Sequence, residues 1–404
     1  MPISVALALV WWFAFAGLGL FFPFYSLYLS ENAGLAGSEV GLVLAMLPLT
    51  GLVVQPLWGQ LADRTGLRAG IVTLLAGGTS VGYAMLTQAD GLASFLLCTV
   101  MLAVFSSALV PSCVSVTLAL LPDGKGFGRA RVMGTLAFGV SVLSFPFVLR
   151  AFQSAGHGAP PARAEGEPGL ELIFCLASAF LALTAVLSLW LPARGDVSQR
   201  AQRGQWRELF DNAAFIRVLI FTFLAYLTIQ GPTVLLPILV RDQGGGLDAI
   251  SRMWLLMIAL EVPLVYHFGA TWTRFGARGV LQIGMCAAAL RWAISGFGED
   301  LHWVYGAQLL HGVTVWGIVL GTPLYANDVV PAHLRATGQG LLAMLGVSLG
   351  SIVSNFGSGW LVEAVGPRAP AQIASVVSLL LALALPWMLP RTRSSIALLD
   401  RTSG

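Results

Sequence analysis

Residues 59–68 read GQLADRTGLR, a short polar stretch between two long apolar runs. A related stretch, GATWTRFGAR, stands at 269–278, an offset of 210 residues. A second pair of polar stretches, RARVMG (129–134) and RATGQG (335–340), repeats at an offset of 206 residues. Two repeats at nearly the same offset indicate that a unit of about half the chain has been duplicated. In the first pair the repeated residues are Gly59, Arg64, Gly66 and Arg68.

The composition around these stretches is that of a membrane protein. The chain has 404 residues, of which 57% are hydrophobic and only 10% are charged, and its mean hydropathy is +0.81. Soluble domains carry about 25% charged residues, so this apolar surplus predicts a polytopic membrane protein. The net charge of +3 is small and does not point to a nucleic-acid partner.

Apolar runs of about 20 residues predict transmembrane helices, because a lipid environment leaves backbone groups no other partner than their own helix. The first run continues to Leu29 without a preceding basic segment, so we expect a first span rather than a cleaved signal peptide. The sequence predicts twelve spans, at 5–29, 39–61, 69–88, 92–120, 129–151, 170–191, 213–240, 249–270, 279–297, 301–327, 336–362 and 370–390.

The distribution of basic residues orients these spans. With a cytoplasmic N-terminus, 16 of the 22 lysines and arginines fall on the inner side, five on the outer side, and Arg291 within a span. Positive charge concentrates on the cytoplasmic side of membrane proteins, so we expect both termini in the cytoplasm of a bacterial inner membrane. The predicted organisation is an N-terminal six-helix bundle (1–192), a cytoplasmic linker (193–211) and a C-terminal six-helix bundle (212–404).

GQLADRTGLR resembles the loop 2–3 signature of the major facilitator superfamily, and the resemblance extends over the whole chain. Four further stretches are similar to the branch that includes lactose permease-like, phenylpropionate permease-like and nucleoside–proton symporter-like proteins: PFYSLYL (23–29), QPLWGQLADRTG (55–66), FGRARVMGT (127–135) and QLLHG (308–312). The resemblance implies an all-α membrane protein with twelve transmembrane helices. It further implies two pseudo-symmetric six-helix bundles around a central cavity, and transport by alternating access.

The signature loop also predicts a cytoplasmic gate. Gly59 and Gly66 permit a tight turn, and Asp63 is an anion among several cations with which it can pair. The resemblance implies that this cluster latches the cytoplasmic side, and Thr273 in place of Asp63 predicts a weaker latch in the second copy. The alternative is a topology signal with one incidental aspartate. The predicted gate consists of Gly59, Asp63, Arg64, Gly66, Arg68, Arg129 and Arg131.

Three ionisable residues lie well inside predicted spans: Glu261, Arg291 and His311. At 1.5 Å of rise per residue, their depths in the membrane differ by only about 8 Å. A partly desolvated glutamate can exchange a proton near neutral pH, and a histidine titrates there as well. The set predicts a proton-coupling site, and it resembles the Glu, Arg and His of spans 8, 9 and 10 in lactose permease. The second glutamate of that pattern is absent, and the alternative is a static buried ion pair.

Further polar or aromatic residues inside the spans are candidate substrate contacts, although side chains of this kind more often serve as helix–helix contacts or interface anchors. These are Tyr25, Tyr226, Gln230, Trp316 and Asn355, together with Glu261 and His311. The four cysteines lie in apolar runs and the five histidines are scattered, so we expect no disulfide, metal site or cofactor. No ATP-binding loop or catalytic motif is present, which argues against an enzyme.

The sequence therefore predicts a proton-coupled secondary transporter, most simply a symporter that imports a small organic solute. Its expected partners are that solute, protons and the lipid bilayer, and we expect a monomer. The alternative direction is export, but the G-P-x-x-G-G pattern of drug exporters in this superfamily is missing from GTLAFGVSVLSFPF (134–147). An alternative of another class is a non-transporting assembly factor or sensor, which would not need buried charges.

Overall fold

The computed structural model describes residues 2–121, 124–164, 166–192 and 207–390, without the side chains at positions 63, 124–125, 266, 268–273 and 336. Within these residues the chain is helical and contains no strand. It divides into two compact units, 1–200 and 201–404. The helices of the first unit are α1 (Ile3–Leu27), which continues as a π-helical turn (Tyr28–Asn32), α2 (Gly37–Thr65), α3 (Arg68–Leu86), α4 (Gly91–Leu120), α5 (Gly124–Ser154) and α6 (Leu172–Ser188).

The second unit has more, shorter helices, because several of its spans are interrupted. In order they are α7 (Glu208–Asp211), α8 (Ala213–Val234), α9 (Leu236–Asp242), α10 (Leu247–Tyr266), α11 (Phe268–Phe297), α12 (Leu301–Gln308), α13 (Leu310–Thr314), a π-helical segment (Val315–Val319), α14 (Gly321–Val329), a 3₁₀ turn (Ala332–Leu334), α15 (Arg335–Leu341), a second π-helical segment (Leu342–Ser348), α16 (Leu349–Ala364) and α17 (Ala369–Met388). The π segments join their neighbours into continuous spans.

Ten helical segments in the described part of the chain are long and apolar enough to cross a membrane. They correspond to ten of the twelve predicted spans. The sixth predicted span is the shorter apolar helix α6. The eighth is α10, which spans 20 residues and contains Asp248, Arg252 and Glu261. The predicted all-α membrane fold is therefore confirmed.

The contacts within each unit repeat in the order that a duplication predicts. In the first unit α1 packs against α5 and α6, α3 packs against α4 and α6, and α2 packs against α4. In the second unit α8 packs against α16 and α17, α11 packs against α13 and α17, and α10 packs against α13. Each pair in one unit thus has a counterpart six spans later. The internal repeat read from two short loops extends to the packing of the whole bundle.

Gly66 and Gly276, which the repeat aligns, both adopt backbone conformations that favour glycine. Gly66 ends α2 with φ 66°, and Gly276 interrupts α11 with φ 68°. A side chain at such a φ would clash with the backbone. Much of the predicted loop is therefore helix: the signature runs along the last turns of α2, and the reversal follows at Gly66.

Small residues bring the helices of the second unit close together. A Cβ at Gly284 would lie 2.7 Å from the Cα of Gly317, and a Cβ at Gly312 would lie 2.5 Å from the backbone nitrogen of Glu261. The helices α11 and α10 can therefore approach the tenth span only because these positions have no side chain. The second approach places the backbone of Glu261 against α13.

The outer loop between α5 and α6 is held against the end of the first span. Its composition, rich in Gly, Ala and Pro, predicts a loose loop. In the structure, however, the backbone nitrogens of Ala162 and Arg163 donate 3.0 Å hydrogen bonds to the carbonyls of Asn32 and Glu31. The Asn32 side chain in turn donates to the Glu167 carbonyl at 2.8 Å. The carbonyls near the end of the first span give this loop a partner that its composition does not reveal.

Candidate functional site

The guanidinium of Arg291 is the centre of a polar cluster inside the second unit. Its side chain is completely buried. The Nε atom donates to Oε1 of Gln308 at 3.0 Å, and Nη1 lies 3.0 Å from Nδ1 of His311 and 3.4 Å from Oγ1 of Thr233. The Nη2 atom lies 3.8 Å from the sulfur of Met257. One side chain of α11 thus contacts α8, α10, α12 and α13.

All the contacts of the guanidinium given above are with uncharged acceptors or with an imidazole. Arginine stays protonated in proteins, so the contacts given above place its positive charge against dipoles and an imidazole. The guanidinium also lies 4.1 Å from the ring centroid of the neighbouring Trp292, whose π face is attractive to a cation. This environment lowers the cost of burying the charge.

Gln308 is completely buried and is bonded on both sides of its amide. Its Oε1 accepts from Arg291, and its Nε2 donates to Ser295 Oγ at 3.2 Å and to the Val304 carbonyl at 2.9 Å. Donation through Nε2 fixes which end of the amide faces the guanidinium. The glutamine therefore holds a fixed acceptor against Arg291.

Glu261 lies on α10 and is partly buried. Its backbone is in close contact with Gly312, the residue after His311. The structure thus brings the Glu261 backbone next to the histidine and joins the histidine to Arg291. The hydrogen bonds of Arg291 described above do not include the predicted pairing with the Glu261 carboxylate, so that pairing stays a prediction.

The tentative substrate residues occupy different surroundings. Tyr25 is buried in the first unit, where its hydroxyl and Thr99 Oγ1 are 2.7 Å apart and its ring stacks on Phe21 at 4.3 Å. Trp316 is 3% exposed and Asn355 is 2% exposed. Tyr226 and Gln230 are partly buried on α8. The contact of these residues with a solute stays a prediction.

The predicted gate residues lie where α2, α3 and α5 begin or end. The side chain of Asp63 lies outside the described residues, so its pairing stays a prediction. Arg64 and Arg129 are exposed, as a cytoplasmic cation would be. Arg131 differs, because its guanidinium carbon lies 5.1 Å and 4.5 Å from the ring centroids of Trp11 and Phe15. This arginine therefore packs on α1 in addition to any role at the gate.

Several members of the Arg291 cluster were not among the residues that the sequence singled out. For Gln308 a signal existed: it precedes His311 by three residues, which places both side chains on the same face of a helix. Thr233, Met257 and Trp292 had no such signal, because a threonine, a methionine and a tryptophan in apolar spans are ordinary packing residues. Their roles depend on which helices are neighbours.

Comparison with known proteins agrees with this architecture. The model of the MFS_1 like family matches residues 4–371. The maltose permease of Geobacillus stearothermophilus is 28% identical over 365 residues, which are 88% of this chain and 86% of the permease. The uncharacterized transporter YwbF of Bacillus subtilis (strain 168) is 24% identical over 368 residues, 91% of this chain and 88% of YwbF.

Among solved structures, the nucleoside transporter NupG has the same fold, with a TM-score of 0.81 at 17% identity over 96% of this chain and 99% of NupG. The family match covers most of the chain and both six-span units. The related proteins are transporters rather than enzymes. The chain therefore belongs to the MFS_1 like family and is a multi-pass membrane transporter of the major facilitator type.

Proposed function

We propose that this transporter is a proton-coupled symporter that imports a small organic solute across a bacterial inner membrane by alternating access. In this proposal it acts as a monomer with both termini in the cytoplasm, and Glu261 carries the proton near Arg291 and His311. The Asp63 loop and its arginines act as the cytoplasmic gate. An ion-coupled cycle needs a titratable group inside the membrane whose charge a neighbouring group can sense.

The observation that carries the proposal is the part-buried contact between Arg291 and His311, at 3.0 Å. His311 lies on the helix that touches the backbone of Glu261. Burying a cation in a span is unfavourable by several kcal/mol, so a purely structural role would be served better by apolar packing. A cation next to a histidine and near a carboxylate can instead change its interactions as protons bind and leave. These residues therefore support proton coupling.

Similar proteins suggest which solutes to test first. One relative is named a maltose permease and one structural neighbour a nucleoside transporter, and both kinds of solute are polar and bear hydroxyl groups. We propose sugars and nucleosides as the first probes, with aromatic carboxylic acids as a third class because Arg291 is a cation. A thermal-shift screen of the purified protein with maltose, uridine and phenylpropionate would identify the class.

The decisive experiment is the Glu261→Gln variant in proteoliposomes, with the solute that the screen identifies. We expect the variant to exchange labelled solute across the membrane but to lose accumulation against a gradient and solute-driven proton uptake. The amide keeps the size and hydrogen-bonding capacity of the carboxyl group but cannot titrate. Uphill accumulation by Glu261→Gln would show that the proton is carried elsewhere.

The matched control is Glu363→Gln, the same substitution at an exposed glutamate of α16. This control should accumulate solute like the wild type. Reversing the proton gradient in the same vesicles tests the direction of transport. Net solute movement against the proton flow would replace import by export and leave the role of Glu261 open to the same test.

A further inference from the structure

The hydrogen bond between Arg291 and His311 determines which ring nitrogen of a neutral His311 carries the proton. Arginine has only donors, so the Nη1 atom that lies 3.0 Å from Nδ1 of His311 must donate to it. The Nδ1 atom is then an acceptor without a proton of its own. The neutral imidazole carries its one proton on Nε2.

Arg291 can serve His311 in this way only when its guanidinium has the correct rotation. Its planar fork has five N–H donors in fixed relative directions. Once Nε is bonded to Gln308 Oε1 at 3.0 Å, the direction of Nη1 is determined. Gln308 itself is oriented by its bonds to Ser295 and to the Val304 carbonyl.

We infer that Gln308 is a positioning residue that, through Arg291, holds His311 as the Nε2–H tautomer. The inference rests on the proposed function, because it assigns a step in proton coupling. Among the described residues, the charged or titratable groups near His311 in the contacts given above are Arg291 on α11 and Glu261, whose backbone on α10 contacts Gly312. His311 then presents a hydrogen-bond donor, not an acceptor, on its remaining nitrogen.

This arrangement has a consequence for proton movement. A proton can be added to the neutral ring only at Nδ1, which faces the Arg291 guanidinium. The Nη1–H of Arg291 and a new Nδ1–H of His311 would point at each other, so Arg291 must withdraw before His311 becomes a cation. Gln308 holds Arg291 in place and therefore sets when the histidine can accept a proton.

The test is ¹⁵N nuclear magnetic resonance of the full-length protein in detergent micelles, with labelled histidine. The chain has five histidines, and the His311→Gln variant assigns the His311 signals. We expect the wild type at pH 7.5 to show a protonated Nε2 and an unprotonated Nδ1 at His311. In Gln308→Met, which has no acceptor for Arg291, we expect a mixture of the two tautomers.

Gln372→Met is the control: this glutamine donates to the Gly296 carbonyl at 3.0 Å, so its loss removes a hydrogen bond to α11 elsewhere. A wild-type His311 protonated at Nδ1 would overturn the inference without any variant. A single Nε2–H tautomer in Gln308→Met would overturn it as well.

These measurements require no transport and therefore separate the inference from the proposed function. If the tautomers behave as expected and Glu261→Gln still accumulates solute, the proposed proton carrier is wrong and the positioning role of Gln308 stands. If Glu261→Gln loses accumulation but the tautomer does not depend on Gln308, coupling stands and the positioning role falls.

Discussion

Arg291 is unfavourable for the stability of the spans that surround it, and this can be measured. Its replacement by methionine removes a charge whose burial at the centre of a span costs about 2.5–3.5 kcal/mol. The same change leaves the Gln308 oxygen without its donor, at about 1–3 kcal/mol. We therefore expect Arg291→Met to melt near or slightly above the wild-type temperature in detergent, and to lose proton-coupled transport.

Arg291→Lys is the informative comparison. A lysine keeps the charge but presents one ammonium group, which cannot reproduce the bonds to Gln308, Thr233 and His311 together. We expect it to melt below Arg291→Met. If the lysine variant is the more stable of the two, the buried charge is stabilised by a contact other than those of the guanidinium.

The identities of the central residues could be predicted from the sequence better than their pairing. Glu261, Arg291 and His311 stand out because each is ionisable in an apolar run. Their depths could be estimated only to within several ångströms, and the direction of a side chain changes by about 100° for each residue along a helix. Whether Arg291 meets Gln308 and His311 or the Glu261 carboxylate depends on helix rotation, which no local pattern specifies.

Among the elements, the crossing of α10 and α13 depends on Gly312. A Cβ there would lie 2.5 Å from the Glu261 nitrogen, so Gly312→Ala must push the two helices apart. Overpacking of this kind costs about 1–3 kcal/mol. We expect a lower melting temperature and impaired coupling, measured by thermal denaturation and by proteoliposome uptake.

The control for this crossing is Gly306→Ala on α12, where nothing lies within 4 Å of the added Cβ. Alanine is favoured over glycine in a helix by about 0.5–1 kcal/mol, so this variant should be slightly stabilised. Equal behaviour of the two variants would mean that the helices can separate at Gly312 without loss.

The end of α2 offers a second paired comparison. Gly66 has φ 66°, whereas Gly59 is in the helix with open space around it. Alanine at position 66 should cost about 1–2 kcal/mol because of its left-handed backbone, and Gly59→Ala should be neutral or stabilising. Thermal denaturation of both variants checks this, and a stable Gly66→Ala would show that the turn can form in another way.

The interruptions of the spans are the part of the elements that the sequence did not predict. The π-helical segments at Tyr28–Asn32, Val315–Val319 and Leu342–Ser348 lie inside uniformly apolar or mixed stretches. Apolar periodicity reports that a residue is in a helix, but it cannot report one extra residue in a turn. The predicted spans therefore cover Val315–Val319, Leu342–Ser348 and the first two residues of Tyr28–Asn32 without indicating a π-helical turn.

At the scale of the whole molecule, the basic residues predict that the stretch between the two units faces the cytoplasm. A protease recognition site inserted between Ser198 and Gln199 should be cut in inverted membrane vesicles and protected in right-side-out vesicles, because positive charge is retained on the inner side. The same site between Ala159 and Pro160 should show the opposite pattern. Cleavage of the first insertion in right-side-out vesicles would show that the predicted topology is wrong.

The overall architecture was the most predictable level. Long apolar runs must be helices in lipid, and two glycine-containing loops at matching places indicate the duplication from the sequence alone. The sequence could not report the approach of Gly284 to Gly317 or the bonds of the outer loop to Asn32. Both depend on which surfaces face each other once the helices assemble.

The left-handed glycines at 66 and 276 also bear on how the two halves have diverged. The two copies of the loop differ where Asp63 aligns with Thr273, but both have the glycine that aligns at 66 and 276. The residue at the position of Asp63 can change as the function of each copy changes, whereas the left-handed backbone at the glycine positions accepts few other residues. In related sequences the residue aligned with Asp63 should therefore vary more than the glycines aligned with Gly66 and Gly276. The spacing of the two glycines should then be the more lasting sign of the duplication.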